Sequence, residues 1–298
     1  MNLPAKFFNM SATSASNGTS TPSDTSSPRK LKILMLHGYT QSGPNFNSKT
    51  KALTKLLNKH FPPTHPSYPG GIQLLYPTAP ILLLPADIPG FSPTSDPALA
   101  PPDAYGWWKR ETGGARYVGI EKGLDTIASC IESAGGIDGV IGFSQGACCA
   151  AFVASLLEPN RESAFALQRV KNPETALPYP ASFTRLKNEI QQGPLKFAIS
   201  YSGFYAPYEG YTAFYEPKIR TRILHVIGSL DSVVEEERSM KLVDACEEGS
   251  REVCYHPGGH FVPMGKEYGN VAVGFILKCL EDGKKKKEES VEDMDVPF

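Results

Sequence analysis

The hydrophobic residues fall into short apolar runs, separated by longer segments in which apolar residues recur at helical spacing. Continuous apolar runs are typical of strands that are buried on both faces of a parallel sheet. The predicted strands are residues 31–37, 73–76, 139–143, 196–201, 222–227 and 252–256. The predicted helices are residues 44–60, 117–133, 145–157, 235–246 and 266–280. This alternation predicts an α/β fold with a mostly parallel central sheet and helices on both faces.

Two stretches interrupt the alternation. Residues 80–104 are rich in proline and are predicted to form an irregular surface excursion. Residues 158–193 resemble an insertion and contain one predicted helix, at about residues 183–191. Neither stretch supplies a strand to the predicted sheet.

Both ends of the chain lack apolar periodicity. Residues 1–30 are rich in Ser and Thr and are predicted to be a disordered leader. Residues 283–298 contain a basic run followed by an acidic one, which predicts a solvated charged tail, with a nuclear-import signal as the alternative. The chain is therefore predicted to hold one domain, over residues 31–282.

Charge and composition restrict the classes of partner. The formal net charge is -1, whereas a protein that binds nucleic acid mainly through phosphates carries a strong basic excess. No apolar run approaches the roughly 18–20 residues that a membrane-spanning helix needs, and the amino-terminal segment lacks the apolar core of a secretory signal. We therefore expect a cytoplasmic protein that acts on small molecules.

The cysteines show neither a metal-binding nor a disulfide pattern. Their spacing fits neither a CxxC metal pair nor the framework of a small disulfide-rich domain. They are Cys130, Cys148, Cys149, Cys246, Cys254 and Cys279. We predict reduced thiols in the core and no metal site.

The segment Gly142-Phe143-Ser144-Gln145-Gly146 has the G-x-S-x-G pattern of a nucleophile elbow. The pattern alone is weak, but here a predicted strand precedes it and a predicted helix of small residues follows it. A tight turn at this position lifts the serine hydroxyl above the sheet, and the glycines let neighbouring backbone pass closely. Ser144 is therefore the predicted nucleophile, and the alternative is a glycine-rich turn with an incidental serine.

A serine nucleophile needs a base and an acid that orients the base, and in this arrangement they follow the serine in the order acid, then histidine. Three histidines follow Ser144. His225 lies inside a predicted strand and is expected in the core. His256 and His260 bracket a Pro-Gly-Gly turn after the last strand, where a catalytic histidine would emerge, and we favour His260 as the base.

The predicted acid is Asp231, which lies just beyond the predicted strand over residues 222–227. A carboxylate at this position faces the same edge of the sheet as Ser144 and can reach the histidine. Three glutamates at positions 235–237 are nearby, but they fit the solvated first turn of a helix. A turn or helix-capping role is the alternative for Asp231.

Acyl transfer also needs donors for the developing oxyanion. The backbone N–H of Gln145, directly after the nucleophile, is one predicted donor. The loop after the first strand, residues 37–41, offers the N–H of Tyr39 as the second. His37 itself precedes the serine in the chain and is expected to be structural.

Together these segments resemble the FSH family of small serine hydrolases. The segments that carry the resemblance are residues 36–42, 107–108, 142–146, 202–204 and 259–260, together with Asp231. The resemblance covers roughly residues 30 to 282. It implies an α/β-hydrolase fold in a single domain, no cofactor, and activity on esters or thioesters. Some members of the family resemble acyl esterases, and others release polyketide chains from carrier proteins.

Aromatic residues near the predicted site suggest an apolar acyl pocket. We expect Trp107, Trp108 and Phe204 to bind the substrate. The other aromatic residues near the site are Tyr39, Tyr105, Tyr205 and Phe261. The alternative is that most of these side chains pack in the core or in loops.

The sequence thus predicts a serine hydrolase that cleaves carboxylic esters of small or acyl-chain substrates through an acyl-enzyme. Its chemistry calls for no metal and no organic cofactor. One alternative is a thioesterase that releases acyl or polyketide chains from coenzyme A or from an acyl carrier protein, which would then be a partner. The other is a non-catalytic ligand-binding protein on a hydrolase scaffold.

Overall fold

The computed structural model of the chain describes residues 27–89, 103–111 and 113–292, with the side chains of the last helix described as far as residue 283. Parts of three predicted segments lie outside the described residues, namely 1–26 of the leader, 90–102 of the proline-rich excursion and 293–298 of the tail. Within the described ranges, no helix combines the length and the apolar character needed to cross a bilayer.

A parallel sheet forms the centre of the protein. The strands are β1 (Leu31–Leu36), β2 (Ile72–Leu75), β3 (Ile81–Leu82), β4 (Tyr105–Gly106), β5 (Lys109–Arg110), β6 (Tyr117–Val118), β7 (Gly139–Phe143), β8 (Phe197–Tyr201), β9 (Ile223–Gly228) and β10 (Arg251–His256). Six of them form one sheet in the order β10-β9-β8-β7-β1-β2, and every neighbouring pair is parallel. β3 pairs with β4, and β5 with β6, in short antiparallel ribbons. The predicted parallel sheet is confirmed.

Helices cover both faces of this sheet, as predicted. They are α1 (Gly43–Lys49), α2 (Lys51–His60), α3 (Ile120–Ser133), α4 (Gln145–Leu156), α5 (Arg161–Lys171), α6 (Ala181–Glu189), α7 (Thr212–Tyr215), α8 (Glu236–Asp244) and α9 (Lys266–Glu292). Short 3-10 turns lie at Pro85–Asp87, Glu209–Tyr211 and Glu248–Ser250. α1, α2 and α9 bury apolar residues against one face, and α3 to α8 bury theirs against the other.

The side chains of β1 show how the sheet separates two layers of core. Leu34 and Leu36 pack in the layer that contains α4, whereas Leu31, Ile33 and Met35 pack in the layer that contains α2 and α9. Successive side chains of a strand point to opposite faces of a sheet. A strand buried on both faces therefore reads as a continuous apolar run, which is why the sequence pattern located it.

α4 is buried along its whole length, and it directly follows β7. It packs on β7 and β8 and is itself covered by α5 and α7. Small residues such as Ala147, Ala150 and Ala151 leave no side-chain bulk between this helix and its neighbours. The turn between β7 and α4 is thereby fixed at the carboxyl edge of the sheet.

The predicted helix over residues 44–60 is divided at Thr50. Its hydroxyl donates to the Phe46 carbonyl oxygen at 2.8 Å and lies 2.8 Å from the Tyr76 hydroxyl. A threonine that bonds back to the preceding turn in this way competes with the regular helical ladder. α1 ends at Lys49, and α2 begins at Lys51.

Other elements also differ from the sequence prediction. Residues 117–118, predicted as helix, form β6, because Gly119 adopts a left-handed φ of 87° and separates them from α3. α5 was not predicted, since its Leu167 and Val170 are exposed and blur the helical pattern. α9 continues to Glu292 instead of ending near residue 280, through a run of Lys and Glu that favours helix.

Candidate active site

Ser144 lies in the sharp turn between β7 and α4, with φ of 53° and ψ of -116°. A non-glycine residue in this region of φ is strained and persists only where its surroundings fix it. A Cβ added to Gly142 would lie 2.1 Å from the Gly146 carbonyl oxygen, and one added to Gly146 would lie 2.1 Å from the Leu36 carbonyl oxygen. The two glycines are therefore required by close backbone approach, as the elbow pattern predicts.

His260 connects Ser144 to Asp231. Its Nε2 lies 2.9 Å from Ser144 Oγ, and its Nδ1 lies 2.8 Å from Asp231 Oδ2. An ionised carboxylate only accepts hydrogen bonds, so Nδ1 carries the proton and donates it to Asp231. Nε2 is then left with a lone pair that accepts the Ser144 hydroxyl. The structure thus brings the three predicted catalytic residues into one hydrogen-bonded chain.

The Asp231 carboxylate is fixed by the backbone of its own loop. Its Oδ1 accepts the N–H groups of Val233 and Val234, each at 2.9 Å. Burial by itself raises the pKa of Asp231, but the hydrogen bonds from Val234, His260 and Val233 outweigh it and hold that pKa below its usual value. Asp231 is therefore charged at neutral pH and can stabilise a protonated His260.

In the described ranges, His256 and His225 do not hydrogen-bond to Ser144. Buried His256 accepts the Gly258 N–H on Nδ1 at 3.3 Å, and its Nε2 has no partner in the part of the chain that the structure describes. His225 is fully buried in β9, and burial lowers its pKa to about 3. Of the histidines considered as the base, only His260 lies within hydrogen-bond distance of Ser144 in the described ranges.

Both ring nitrogens of His37 form hydrogen bonds. Its Nδ1 donates to the Gly38 carbonyl oxygen at 2.8 Å, and its Nε2 accepts the Ala79 N–H at 2.9 Å. Burial lowers the pKa of His37 to about 4, so the ring is neutral. It fixes the start of the loop that carries Tyr39, which agrees with the structural role expected for it.

The predicted oxyanion donors lie on the wall of one cavity with Ser144. Tyr39 and Gln145 both line that cavity. Neither backbone N–H has an acceptor among the described residues. The Gln145 side chain also accepts the Trp107 N–H at 2.7 Å and donates to the Trp108 carbonyl oxygen at 2.9 Å. This second contact, which ties the elbow to the tryptophan segment, was not foreseen from the sequence.

The cavity beside Ser144 has a volume of about 1080 Å³. The residues that line it are Tyr39, Ala86, Asp87, Trp108, Lys109, Arg110, Glu111, Ala115, Tyr117, Val118, Ser144, Gln145, Phe204, Pro207, Val233, Val234, Glu235 and Arg238. Trp108 and Phe204, two of the predicted substrate-binding residues, are among them. The Trp108 ring stacks on Tyr117 with centroids 4.5 Å apart.

Trp107, the third predicted substrate-binding residue, does not line the cavity. Its side chain is fully buried, and its indole N–H donates to the His37 carbonyl oxygen at 2.9 Å. The ring also packs against His37, with centroids 5.1 Å apart. Trp107 therefore belongs to the packing beneath the site.

Several charged residues of the cavity were not identified from the sequence. Asp87 and Lys109 form an ion pair at 2.6 Å on its wall. Arg110, Glu111 and Arg238 also line the cavity. The first four lie in or beside the segment predicted as irregular, and Arg238 directly follows three glutamates predicted to form the solvated first turn of a helix, so periodicity gave no signal for them.

The described residues contain no group of three or more His, Cys, Asp or Glu side chains placed to hold a metal ion. The cysteines are free thiols, and Cys148, Cys149, Cys246 and Cys279 are buried. Burial raises the pKa of Cys149 well above its usual value, so this thiol stays protonated and inert. No cysteine is among the described residues that line the cavity.

The sequence matches the family described as serine hydrolase (FSH1) over residues 26–271. The chain is similar to family of serine hydrolases 3 from Saccharomyces cerevisiae, with 31% identity over 264 residues that cover 83% of this chain and 84% of that protein. It is also similar to esterase OVCA2 from Danio rerio, with 28% identity over 261 residues that cover 83% of this chain and 97% of that protein.

Two longer relatives match this chain over about half of their own length. The chain is 30% identical over 245 residues to dihydrofolate reductase from Schizosaccharomyces pombe, which covers 80% of this chain and 45% of that protein. An uncharacterized hydrolase from the same yeast is 28% identical and is covered over 51% of its length. The chain therefore spans about half the length of these two relatives.

Solved structures share the fold. The crystal structure of Zea mays acyl-protein thioesterase 2 superposes with a TM-score of 0.51 and 18% identity, covering 85% of this chain and 95% of that one. Esterase PE8 also gives a TM-score of 0.51, with 16% identity and coverage of 85% of this chain and 94% of that one. At this identity the likeness concerns the architecture alone.

Proposed function

The chain belongs to the FSH1 family of serine hydrolases and has the α/β-hydrolase fold, and from this premise we propose that it hydrolyses carboxylic esters of small or acyl-chain substrates. The observation that carries the proposal is the hydrogen-bonded chain from Asp231 through His260 to Ser144 at the edge of a large cavity. A pure ligand-binding protein has no need of that chain.

In the first step, His260 Nε2 takes the Ser144 hydroxyl proton while Oγ bonds to the carbonyl carbon of the ester. The carbonyl electron pair moves onto the oxygen, where the N–H groups of Tyr39 and Gln145 are the proposed donors. The intermediate then collapses. The C–O bond to the leaving group breaks, and His260 gives its proton to the departing alcohol.

In the second step, water replaces the alcohol. His260 takes a proton from the water as its oxygen bonds to the acyl carbon, and the carboxylic acid leaves as Ser144 recovers its proton. Asp231 keeps Nδ1 protonated throughout and stabilises the imidazolium form of His260. These steps need no metal ion and no organic cofactor.

A thioester reacts by the same steps, with a thiol as the leaving group. Cleavage of acyl chains from coenzyme A or from an acyl carrier protein therefore stays an alternative for the substrate. Comparison of kcat/KM for oxygen esters and thioesters of equal acyl length separates the two. The single hydrolase domain over residues 31–282, the leader, the charged tail and the cytoplasmic location likewise remain proposals.

The proposal is tested with Ser144→Ala and a chromogenic acyl ester. We expect wild-type protein to release the alcohol in a burst, followed by steady turnover, and the variant to show neither. Ser133→Ala is the matched control, because Ser133 is exposed at the end of α3 and donates to the Ser129 carbonyl oxygen. Unchanged turnover in the Ser144 variant would sink the assignment.

A further inference from the structure

Arg238 projects into the wall of the cavity beside Ser144. It lies in the first turns of α8, it is half-buried, and it lines the cavity together with Phe204. The centre of its guanidinium group lies 4.6 Å from the centroid of the Phe204 ring. Stacking on an aromatic face orients a guanidinium group and leaves its N–H edge available.

Among the described residues, no carboxylate pairs with the charge of Arg238. Within the described ranges its side chain is in no salt bridge. The neighbouring glutamates of α8 are engaged elsewhere, since Glu236 accepts the Tyr255 hydroxyl at 2.6 Å and Glu237 pairs with Lys241 at 2.9 Å. In the part of the chain that the structure describes, Arg238 is therefore a half-buried cation with no carboxylate partner on the cavity wall.

The other charged groups of the cavity are placed differently. Lys109 is paired with Asp87 at 2.6 Å, and Arg110 is exposed and donates to the Gly114 carbonyl oxygen at 3.3 Å. The carboxylates of Glu111 and Glu235 are exposed. Solvent screens such exposed charges more than it screens a half-buried guanidinium.

The charge of Arg238 also acts on the pKa values of two buried groups, Tyr117 and Cys148. Burial raises the pKa of Tyr117, and the Arg238 charge is among the effects that oppose this rise. The same opposition acts on Cys148, whose pKa burial raises. Tyr117 and Arg238 both line the cavity, and Tyr117 stacks on Trp108.

The position of the cavity indicates which part of a substrate it would hold. It is lined by Ser144, Tyr39 and Gln145, but His260 is not among its lining residues. The leaving alcohol must face His260, because that residue gives it a proton. The group that extends into the cavity is then the acyl chain.

We propose that Arg238 binds a carboxylate at the far end of the acyl chain, so that the preferred substrates are half-esters of dicarboxylic acids. This rests on the function proposed above. A guanidinium group pairs with a carboxylate through two parallel hydrogen bonds, which gives both energy and direction. The methylene groups between the two carboxyl functions pass the aromatic rings of Trp108 and Phe204.

The test compares pairs of 4-nitrophenyl esters of equal acyl length. Each pair consists of a half-ester with a free terminal carboxylate and its neutral alkanoate, over acyl chains of four to eight carbons. The quantity measured is the ratio of kcat/KM for the charged ester to kcat/KM for the neutral one. We expect at least one chain length at which Arg238→Gln lowers this ratio about tenfold or more, as expected for a lost charge-assisted pair.

Two variants control for folding and for general charge. Arg238→Lys keeps the charge and is expected to retain part of the preference. Arg220→Gln removes an arginine that pairs with Glu247 on the surface, and is expected to leave the ratio unchanged. If Arg238→Gln does not fold, two other results test the carboxylate site. They are the ratio in Arg238→Lys and the expected fall of the wild-type ratio when salt is added.

The outcomes separate this inference from the proposed function. Hydrolysis of both esters with an unchanged ratio in Arg238→Gln at every chain length would overturn the carboxylate site and leave the hydrolase intact. No hydrolysis of either ester and no reaction at Ser144 would overturn the proposed function. Calorimetric titration of Ser144→Ala with glutarate and adipate gives a readout without turnover, and binding that survives the added Arg238→Gln change contradicts the site.

Discussion

Asp231 and Glu158 are both buried carboxylates, with side chains 2% and 5% exposed. Asp231 accepts two successive backbone N–H groups on one oxygen and His260 Nδ1 on the other. Glu158 accepts the N–H groups of Arg220 and Thr221 on one oxygen, each at 2.7 Å, and the Arg161 guanidinium group on the other, at 2.6 Å. In both carboxylates, one oxygen therefore accepts two successive backbone N–H groups and the other accepts a side-chain donor.

The partners of these carboxylates differ at their far ends. Arg161 donates onward to the carbonyl oxygens of Ala213 and Pro217, at 3.3 and 2.6 Å, so its charge is enclosed by backbone. His260 Nε2 instead meets the hydroxyl of Ser144, which lines the cavity. A buried carboxylate alone therefore does not mark a reactive site. The two carboxylates differ in what their partners contact. Arg161 donates to backbone carbonyl oxygens, whereas His260 contacts a hydroxyl group that can give up its proton.

The largest effect is expected from a substitution of Asp231, in the hydrogen-bonded chain that ends at Ser144. Asp231→Asn is expected to lower kcat about 10⁴-fold, because an amide at this position favours the wrong tautomer of His260. Ester hydrolysis and the unfolding free energy are measured on the same preparation. Glu158→Gln is the matched control, with kcat per folded molecule unchanged. A loss of less than tenfold in Asp231→Asn would contradict the role assigned to this carboxylate.

The second largest effect is expected from a substitution of Glu158, which forms a buried ion pair with Arg161. Glu158→Ala is expected to lower the unfolding free energy by about 3–5 kcal/mol, because Arg161 is left buried without its partner. Urea denaturation measures this change. Glu247→Ala removes a partner of the exposed Arg220 side chain and should cost at most about 1 kcal/mol. Equal losses in the two variants would show that burial does not distinguish these pairs.

A third prediction concerns His37, a buried group that is satisfied on both nitrogens. Its pKa is about 4 in the folded protein and 6.5 in the unfolded chain, so unfolding takes up a proton between these values. The stability that it contributes is present above pH 6.5 and is lost as pH falls toward 4, by about 3 kcal/mol in total. We expect the stability difference between wild type and His37→Asn to shrink over this range. A difference that does not vary with pH would refute the assignment.

The smallest expected effect concerns the two tryptophans. Trp107→Phe removes the hydrogen bond to the His37 carbonyl oxygen and should cost about 1–2 kcal/mol of stability, with KM little changed. Trp108→Phe alters a residue that lines the cavity, and should change KM more than Trp107→Phe does. Thermal unfolding and steady-state kinetics of both variants check this. A larger KM effect for Trp107→Phe would place it in the substrate pocket after all.

The sequence located the parts of the site that follow from local chemistry. Ser144, Asp231 and His260 each lie just beyond a strand that is apolar enough to be recognised, and parallel strands bring their carboxyl ends to one edge. Glycines at 142 and 146 then marked the turn, because only glycine fits where backbone atoms approach so closely. The central sheet was predictable for the same reason.

Features that depend on distant contacts were not predictable. Thr50, where the predicted helix divides, contacts the Tyr76 hydroxyl 26 residues away, and the Glu158 network depends on backbone more than 60 residues away. Trp107 and Trp108 are adjacent and equally apolar, and only the packing shows which of them faces the cavity. Arg238 lies on a helix whose pattern shows an exposed face, so its place beside Phe204 carries no sequence signal.

Labelling with a fluorophosphonate probe tests whether His260 activates Ser144. The probe reacts with an activated serine, and peptide mapping identifies the residue that carries the adduct. We expect an adduct at Ser144 in wild type and in Glu158→Gln, and none in His260→Ala. Folded wild-type protein that carries no adduct, or carries it on another serine, would show that Ser144 is not the activated nucleophile.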